Sequence, residues 1–524
     1  MNLKILEITS SCVIFEIITN DIFFLDAELE IQLLDNKEKI IKSKYSKNVV
    51  NSLYNLNSNF SYKIRILSKG KQVCLESFKT LENTYTLDVR DFGAIGNSKT
   101  NSTAAIQAAI CSCPKNGKIL IPEGRYVVNS LFLKSDIEFE ICENATLIAD
   151  KNISNYPIFP DLIENYDNKK YQSLGSWEGN PYKSYCSVIN AINIENVKIY
   201  GKGIIDGNSS VKTWWKDPKH KETHIARPRL FFSNNSNHIL IEGITFKNSP
   251  SWTIHPYLSD NIKIINVKIV NPKDSPNTDG IDPDCCTNIS IIGVYFSLGD
   301  DCIAIKSGKI FMAQNLGKPT KSITIRQCHM KDGHAGVTLG SELACGIFNV
   351  IVKDCLFIDT DRGLRIKTRR GRGNKAIIDN IEFNNIKMNN VKIPFVINSY
   401  YFCDIDGHSS YVQTRKKLPI DFRTPSIGKL KFKNIAATNC HLAIASIEGL
   451  SEKPIEEVAF SNINISFDKM AKAEIPIMSD GIEKVCRSGF IINNVKKFKT
   501  EKIKVSNNVG PILILNGIEG KINE

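Results

Sequence analysis

Residues 261–269 read Asn-Ile-Lys-Ile-Ile-Asn-Val-Lys-Ile, two short segments in which apolar and polar residues alternate. This alternation is the pattern of a β-strand with one buried face. The first segment has counterparts along the chain, anchored at Val197, Ile239, Ile289, Ile323, Val350, Ile381, Leu430 and Val458. From Ile239 onward the anchors lie roughly 23 to 34 residues apart, with one gap near 49 between Ile381 and Leu430.

Short strands at this period, without helices between them, predict a right-handed parallel β-helix. Each turn would supply a few strands and would stack on the next at about 4.8 Å, the spacing of paired strands. A β-sandwich or a propeller is the alternative, but propeller repeats are longer and carry other signatures. We therefore predict an all-β chain in which residues 87–524 form a parallel β-helix (solenoid) catalytic domain.

Residues 1–86 follow a different pattern, which predicts a small N-terminal β-sandwich domain. Apolar and polar residues alternate at 13–17, 29–33 and 62–66, with polar turns at 35–37 and 57–59. The module is fibronectin-type-III-like in pattern only. We expect it to serve as a structural cap or spacer.

Three further segments interrupt or precede the repeats. Residues 103–110 are good helix formers, with Thr100, Ser102 or Thr103 as candidate N-caps. This helix is predicted to plug the open end of the solenoid. The longest departures from the repeat, 151–190 and 400–426, are predicted to be loops beside the working face.

The composition is that of a globular protein with a basic balance. The chain has 524 residues, an apolar fraction of 42% and a formal net charge of +12. Such a balance indicates a polyanionic partner, and a polyuronic acid fits it as well as nucleic acid does. A basic, solvated surface is the alternative. Because none of the usual nucleic-acid-binding motifs is found, we predict no nucleic-acid partner.

Cysteine usage and the first residues bear on the cellular compartment. The 15 cysteines form no repeating framework and no zinc-type spacing, which favours free thiols in a reducing compartment. Glu7 and Glu16 interrupt the first apolar residues, so no signal peptide is recognised. No uncharged apolar run reaches transmembrane length. We expect a cytoplasmic protein without a membrane partner, unless a leader was removed or a non-classical export route is used.

Four short motifs recur at about one solenoid turn. They are Asn277-Thr278-Asp279-Gly280, Gly299-Asp300-Asp301, Gly333-His334-Ala335-Gly336 and Arg365-Ile366-Lys367. Asp301 lies 22 residues after Asp279, and His334 lies 33 residues after Asp301. Arg365 follows His334 by 31 residues. One motif per turn would stack these side chains into a column on one face.

The spacing inside two motifs predicts shared faces. Asn277 and Asp279 are two residues apart, as are Arg365 and Lys367, so on a strand each pair would point the same way. Arg365 and Lys367 could bind a substrate carboxylate, with arginine suited to a two-pronged contact.

The aspartates and the histidine have the residue types of an acid/base site. Asp300 and Asp301 are adjacent, so the backbone must bend for both to serve one site, and Gly299 makes a bend feasible. Glycoside hydrolysis needs one carboxylic acid to protonate the leaving oxygen and a second carboxylate as base or nucleophile. Clustered aspartates cannot all ionise easily, so one should have a raised pKa and act as the acid. His334 could tune that acid.

The ordered motif set resembles the polygalacturonase family, glycoside hydrolase family 28, over roughly residues 88–520. Bacterial members of that family are also matched at Asp91-Phe92-Gly93-Ala94, Ser249-Pro250-Ser251-Trp252, Ser275-Pro276 and Gly340-Ser341-Glu342. One departure is Ala335, where the family has glycine after the histidine. The resemblance implies a right-handed parallel β-helix and inverting hydrolysis of α-1,4-galacturonosyl bonds. It implies a pectic galacturonate partner and calls for no cofactor or metal.

The resemblance also implies roles for individual residues. Asp300 would be the general acid, and Asp279 and Asp301 would hold and activate the water. Inversion leaves room for that water, with the carboxyl groups roughly 6.5–9.5 Å apart. His334 would support the protonation state of the acid. Arg365 and Lys367 would hold galacturonate carboxylates, and Asn277 would contact the substrate or support a residue that does.

The N-terminal module and the two predicted loops resemble the arrangement in bacterial exo-acting members, and they suggest a cleft closed at one end. We therefore predict an exo-polygalacturonase that acts on oligogalacturonates. Candidates for sugar stacking, or for ordinary packed aromatics, are Trp214, Trp215, Trp252, Tyr400 and Tyr401.

Several other functions compete with this prediction. Endo action, or hydrolysis of rhamnogalacturonan or xylogalacturonan, is the nearest alternative. A pectate lyase would need calcium, and a non-catalytic β-helical carbohydrate-binding protein is the most distant alternative. The oligomeric state is left open.

Overall fold

Three parallel β-ladders wind around one apolar core in the computed structural model, which describes residues 1–165 and 170–518. Strands in each ladder pair with their equivalents one turn before and one turn after. This confirms the predicted parallel β-helix. Residues 519–524 of the predicted solenoid and residues 166–169 of the first predicted loop lie outside the described residues.

The first ladder contains the longest strands. Its members are Thr86–Asp88, Gly117–Ile121, Ile137–Ile141, Glu195–Gly201, Asn237–Glu242, Asp260–Ile265, Thr287–Ile292, Thr320–Arg326, Ile347–Ile358, Ile377–Asn389, Ser426–Ile427, Lys429–Cys440, Ile455–Phe467 and Ser488–Ser506. The second ladder begins with Asn97–Asn101, Gly124–Val128, Ala145–Ala149, Ile204–Asp206, Thr245–Lys247, Lys268–Val270, Tyr295–Ser297 and His329–Lys331. From Ile347–Ile358 onward, single long strands run through both ladders.

The third ladder positions the residues singled out in the sequence. Its members are Leu131–Phe132, Ile189–Ile192, Phe231–Asn234, Ile254–Tyr257, Ile303–Ile305, Val337–Gly340, Arg362–Lys367, Ile393–Asn398, Ala443–Glu448, the first part of Ser488–Ser506, and Leu513–Ile518. Bridges at Ile281 and Asp284 continue the ladder in the turn before Ile303–Ile305. Each candidate motif therefore lies at or just before a third-ladder strand.

A column of residues in the left-handed backbone region marks the corner into the first ladder. The column consists of Asp136, Asn196, His238, Asn261, Asn288, Ser322, Asn349 and Asn380, with φ between 53° and 61°. Asparagine tolerates this region because its short side chain can hydrogen-bond locally. Its amide can also reach the next turn, as from Asn288 Nδ2 to Asn261 Oδ1 at 3.1 Å. The Asn of the sequence repeats therefore shapes this corner.

Helices are few and short. The predicted cap is a helix at Thr103–Ser112, where Ile106 and Ile110 join the solenoid core. Ser102 occupies its N-cap position without a side-chain cap hydrogen bond. Within residues 1–165 and 170–518, the remaining helices are Ile310–Asn315 and Ser410–Gln413, with 3-10 turns at Val89–Phe92 and Ile153–Asn155. Among the described residues, no helix has both the length and the apolar character needed to cross a bilayer.

The N-terminal residues form two small antiparallel sheets around a separate core. One sheet contains Asn2–Ile8, Cys12–Ile18 and Val50–Tyr54, and the other contains Ile40–Asn48, Phe24–Leu34, Ser61–Ser68 and Lys71–Lys79. Phe15, Ile31 and Ile64 are fully buried in that core. The small N-terminal sheets agree with the predicted sandwich, whereas its fibronectin-type-III-like character and its boundary at residue 86 stay predictions.

This N-terminal module packs on the outer face of the first ladder. Tyr200, Leu240, Ile265 and Ile292 of the solenoid join the core of the module. The contact is also polar, because the buried carboxylate of Glu242 accepts a hydrogen bond from Tyr54 Oη at 2.7 Å. Burial raises the pKa of Glu242 to about 7. The module therefore covers a different face from the one that carries the third ladder.

Candidate active site

Outward side chains of the third ladder lie in two neighbouring rows. The strand register places Asp282, Ala304, Thr338 and Arg365 in one row, and Asp284, Lys306, Gly340 and Lys367 in the other. A Cβ at Gly340 would lie 2.4 Å from the carbonyl oxygen of Lys367, so only glycine fits there. Charged side chains thus flank a centre of small residues.

Three aspartates from two successive turns converge beside these rows. Asp279, Asp300 and Asp301 each bring one carboxylate oxygen within 4.8 Å of the other two. The turns are held together by the hydrogen bond from Gly280 N to Asp301 O, at 3.0 Å. These oxygens lie closer together than the roughly 6.5–9.5 Å expected between the carboxyl groups of an inverting pair.

The predicted backbone bend at the paired aspartates is present. Asp300 and Asp301 lie in an irregular segment before the strand Ile303–Ile305. The Asp301 N–H donates to Asp300 Oδ1 at 2.9 Å, and the two side chains then reach different partners. A Cβ at Gly299 would lie 2.7 Å from the Ser275 carbonyl oxygen, so glycine also permits close packing here.

Asp301 is buried against the two cations of the Arg-Ile-Lys motif. Lys367 Nζ donates to Asp301 Oδ2 at 2.9 Å, and Arg365 Nη1 lies 3.8 Å from Oδ1. Burial by itself would raise the pKa of Asp301, but the charges of Lys367 and Arg365 outweigh burial and hold it well below its usual range. Asp301 is therefore a carboxylate at any ordinary pH. The shared face predicted for Arg365 and Lys367 is confirmed, because both lie on Arg362–Lys367.

His334 and Asp300 form the accessible part of the site. His334 Nδ1 lies 3.2 Å from Asp300 Oδ1, and the two side chains are 50% and 20% exposed. The hydrogen bond to Asp300 raises the pKa of His334. Because Asp279, Asp301, Arg365 and Lys367 are buried, a substrate would meet Asp300 and His334 before them.

The raised aspartate pKa expected from the sequence falls on Asp279. Burial, followed by the charge of Asp300, raises the pKa of Asp279 well above its usual range. Its neighbour Asp282 is completely buried, and burial raises the pKa of Asp282 to about 8 although Lys306 Nζ lies 3.5 Å away. The buried pair therefore favours a proton in this part of the site.

Sequence reasoning missed a second charged cluster around Lys306. Lys306 Nζ lies 3.2 Å from Glu342 Oε2 and 4.3 Å from the ring centre of Trp252. Lys306 and Asp282 lie beside the aspartates, and the charges of both act on Asp279. A signal existed, because Lys306 directly follows the apolar residues Cys302 to Ile305 and a charged residue there needs buried partners.

Asn277 does not share a strand face with Asp279, contrary to the spacing argument. Its φ of 54° places it in the left-handed region of a turn, so the alternation rule for strands fails there. Its Oδ1 accepts a hydrogen bond from Arg227 Nη2 at 2.8 Å. Asn277 therefore lies beside the site, with part of its amide already engaged by the protein.

The five aromatic candidates are largely packed. Trp214, Trp252, Tyr400 and Tyr401 are buried, and Trp215 is half-buried. The ring of Tyr401 lies beside the two cations that hold Asp301, with its centre 5.8 Å from each. Tyr401 is therefore the best placed of the five to border a bound sugar.

The two predicted loops meet beside the site at Lys309. In the first loop, the strands Ser176–Trp177 and Asn180–Pro181 form a hairpin, and Lys309 N donates to Gly179 O at 3.1 Å. In the second loop, Asp404 accepts from Lys309 Nζ at 3.0 Å. The loops therefore build a continuous wall next to Lys306 and Glu342.

The aspartate cluster has the oxygen ligands that a hard cation prefers. Asp279, Asp300 and Asp301 could in principle share one. However, Lys367 and Arg365 already neutralise Asp301, which reduces the negative charge that remains for a metal.

Comparisons with known proteins point to one family. The family model of glycosyl hydrolases family 28 matches residues 111–480. A "Probable polygalacturonase" from Vitis vinifera is 33% identical over 389 residues, which cover 73% of this chain and 74% of the relative.

Solved structures of family 28 proteins have the same fold. The exopolygalacturonase of Yersinia enterocolitica matches with a TM-score of 0.70 and 18% identity, covering 100% of this chain and 97% of its own. The exopolygalacturonase of Thermotoga maritima matches with a TM-score of 0.64 and 24% identity, covering 80% and 91%. At these identities the likeness shows the fold, whereas the family model and the Vitis relative show membership. The chain therefore belongs to glycosyl hydrolases family 28.

Proposed function

We propose that this protein is a polygalacturonase that hydrolyses α-1,4-galacturonosyl bonds, with Asp300 as the general acid. The observation that supports this most directly is the convergence of three aspartates beside a buried Lys/Arg pair. Hydrolysis needs two carboxyl groups of opposite protonation state, and a galacturonate carboxylate needs cations. Membership of family 28 and the name of the Vitis relative support the same substrate class.

In this mechanism the exposed carboxyl group of Asp300 donates its proton to the glycosidic oxygen as the bond to C1 breaks. Asp301, kept ionised by its two cations, accepts a proton from the water whose oxygen forms the new bond to C1. Asp279 holds that water from the other side. His334 bonds to Asp300 and passes it a proton from solvent after each turnover, while Asp301 releases the accepted proton to solvent.

Asp279 is a second candidate for the acid, because burial and the charge of Asp300 raise its pKa. Substrates with a good leaving group distinguish the two, since they need little protonation. If Asp300 is the acid, Asp300→Asn loses roughly 10²- to 10⁴-fold on trigalacturonate and much less on an aryl galacturonide. If Asp279→Asn gives that contrast instead, the assignment to Asp300 is wrong.

The first experiment is incubation of the purified protein with trigalacturonate in EDTA, alongside Asp300→Asn. Shorter galacturonates from the wild type, lost in the variant, would support metal-independent hydrolysis. A product that absorbs ultraviolet light would indicate a lyase. If no oligogalacturonate is cleaved, the substrate must be another pectic backbone.

We propose inversion from the family resemblance. The distances alone do not select it, because oxygens within 4.8 Å of one another would also suit the spacing of about 5–5.5 Å typical of a retaining pair. Proton NMR of the first-formed product decides between them. The β-anomer at the earliest time points supports inversion, and the α-anomer would overturn it.

We further propose exo action, supported by the wall that the two loops build at Lys309. Breaking its contact to the second loop with Lys309→Ala should open the cleft and release longer products early from polygalacturonate. The matched control is Lys202→Ala, which removes a surface pair with Glu143. A wild type that lowers polymer viscosity before much reducing sugar appears would be endo-acting, whatever the variant does.

We also propose that the substrate is a short oligogalacturonate inside the cell. All fifteen cysteines are free and most are buried, as expected in a reducing compartment. Fractionation of cells that express the untagged protein tests this. Activity found mainly outside the cell would contradict it.

A further inference from the structure

We propose that Arg227 is a positioning residue that fixes the loop carrying Asp279, and that Asn277 acts mainly as its partner. This inference rests on the proposed function of the same site. Arg227 lies outside all four sequence motifs and is 2% exposed. It lies just before Phe231–Asn234, two solenoid turns before the ladder segment at Ile281 that follows Asp279.

The guanidinium of Arg227 ties together three segments of backbone. Its Nη1 donates to Pro250 O at 2.7 Å and to Pro276 O at 2.9 Å, and its Nη2 donates to Pro218 O at 3.1 Å. Carbonyl groups cannot donate, so each needs a donor of this kind when buried. Pro276 lies three residues before Asp279, so the arginine fixes the entry to the catalytic loop.

The bond between Arg227 and Asn277 defines the orientation of the Asn277 amide. A guanidinium can only donate, so the atom 2.8 Å from Arg227 Nη2 must be the oxygen of Asn277. Only the NH₂ group is then left for a substrate contact. Asn277 is also held in the left-handed region, at φ 54°. The turn Asn277 to Asp279 is thereby fixed by a side-chain bond as well as by its backbone.

The rest of the loop is secured independently of Arg227. Thr253 N donates to Asp279 O at 2.8 Å, and Asn271 Nδ2 donates to Thr278 O at 3.4 Å. Loss of Arg227 should therefore loosen the residues before Thr278 without unfolding the turn. This makes a displaced catalytic loop, rather than a missing one, the expected result.

The predicted first loop reaches the same arginine through an aromatic ring. The centre of the Trp177 ring lies 5.4 Å from the guanidinium carbon of Arg227, a cation–π distance. Trp177 is in the hairpin that also contacts Lys309. The loop therefore supports the catalytic residues as well as forming a wall.

The charge of Arg227 acts on the aspartates at longer range. The ionisable groups that face it are Asp217, Asp279, Asp300, His220 and Arg229. Its positive charge favours the ionised forms of the aspartates. Loss of that charge should therefore raise the pKa of Asp279 further, whereas loss of geometry alone should not.

The test compares Arg227→Lys, which keeps the charge but not the planar fork, with Arg227→Gln, which loses both. Arg227→Lys should lower kcat on trigalacturonate about a hundredfold, the order expected for a misplaced catalytic group, with KM within about threefold. In Arg227→Gln the alkaline limb of kcat/KM, which reports the proton donor, should also move to higher pH. The matched control is Arg370→Lys, an equally buried arginine that donates to Glu452 and to carbonyl groups of residues 411–416. It should keep the wild-type pH profile.

A substrate-free measurement separates this inference from the proposed function. Hydrogen exchange of the amides in 275–280 should be at least tenfold faster in Arg227→Lys, while the second ladder stays protected. A second test uses Asn277→Gly, which removes the side chain but suits a positive φ. Combined with Arg227→Lys, it should lower kcat little more than either change alone. Unchanged exchange in 275–280, or additive losses in the double variant, would overturn the positioning role even if the enzyme cleaves galacturonate. No activity on any galacturonate, with the faster exchange present, would instead overturn the proposed function.

Discussion

Asp301 shows how far the chemistry of one residue depends on residues distant in sequence. It is 66 residues away from Lys367, yet the two side chains meet at 2.9 Å because their turns stack in the third ladder. A carboxylate with no exposure would take up a proton without such partners. The low pKa of Asp301 is therefore a property of the register between turns.

Replacing Lys367 by methionine tests that dependence. The change removes the cation that touches Asp301 and leaves the carboxylate buried with Arg365 as its nearest charge partner, so its pKa should rise. The acidic limb of kcat/KM should then move to higher pH, and kcat/KM should fall roughly a hundredfold, as for a broken buried charge pair. Steady-state rates on trigalacturonate from pH 3 to pH 8 provide the measurement. Lys367→Arg, which keeps the charge, is the control, and an acidic limb that stays in place in Lys367→Met would show that Lys367 does not set this pKa.

Alternation of apolar and polar residues predicts the ladders well, because every inward Ile or Val must find a layer above and below. It predicts Arg365 and Lys367 equally well, since both lie on a strand. It fails at Asn277, where the chain leaves the strand for a left-handed turn. It also cannot find Arg227, whose partners are carbonyl groups and leave no pattern in the sequence.

At the scale of single elements, the corner column accounts for the asparagine that opens many of the sequence repeats. Asparagine recurs in the sequence repeats, but only the backbone shows why it is used there. Ser322 breaks the column between Asn288 and Asn349, although its φ of 61° is the same as theirs within a few degrees. Serine has no side-chain amide, so it cannot make the hydrogen bond to the neighbouring turn that asparagine makes here.

Ser322→Asn should therefore stabilise the solenoid. The new amide would bond to its neighbours across the corner, and asparagine suits this backbone region better than serine. We expect a gain of about 0.5–1 kcal/mol, the usual net value of one hydrogen bond. Urea unfolding is the measurement, with Ser322→Ala as the control that adds no amide. Equal midpoints for Ser322→Asn and the wild type would mean that the column does not contribute to stability.

At the scale of the molecule, the module and the solenoid are joined by a buried carboxyl group that titrates near neutrality. The folded pKa of Glu242 is about 7, and the unfolded value is about 4.3. The folded state therefore holds the proton more tightly. Its contribution to stability is fully present below about pH 4, falls as the pH rises, and is lost above about pH 7.

Glu242→Gln should remove this pH dependence. Glutamine resembles the protonated carboxyl group and keeps one oxygen for Ser52 and Tyr54. The variant should match the wild type near pH 4 and exceed it at pH 8, by up to about 4 kcal/mol. Thermal unfolding at pH 4, 6 and 8 measures this, and Glu143→Gln, an exposed carboxylate, is the control. A constant difference in Tm across that range would show that the pKa of Glu242 is the same in the folded and the unfolded protein.

The seating of the N-terminal module also has a consequence for the order in which the chain folds during synthesis. The module touches six successive first-ladder strands, through Glu138, Tyr200, Glu242, Ile265, Ile292 and Arg326. Domains at the N-terminus leave the ribosome first and can fold first. A folded module then offers each emerging turn a lateral surface, whereas a bare solenoid turn has only its predecessor to bind. A module folded in this order would provide a template for the turns that later carry Asp279, Asp300 and Asp301.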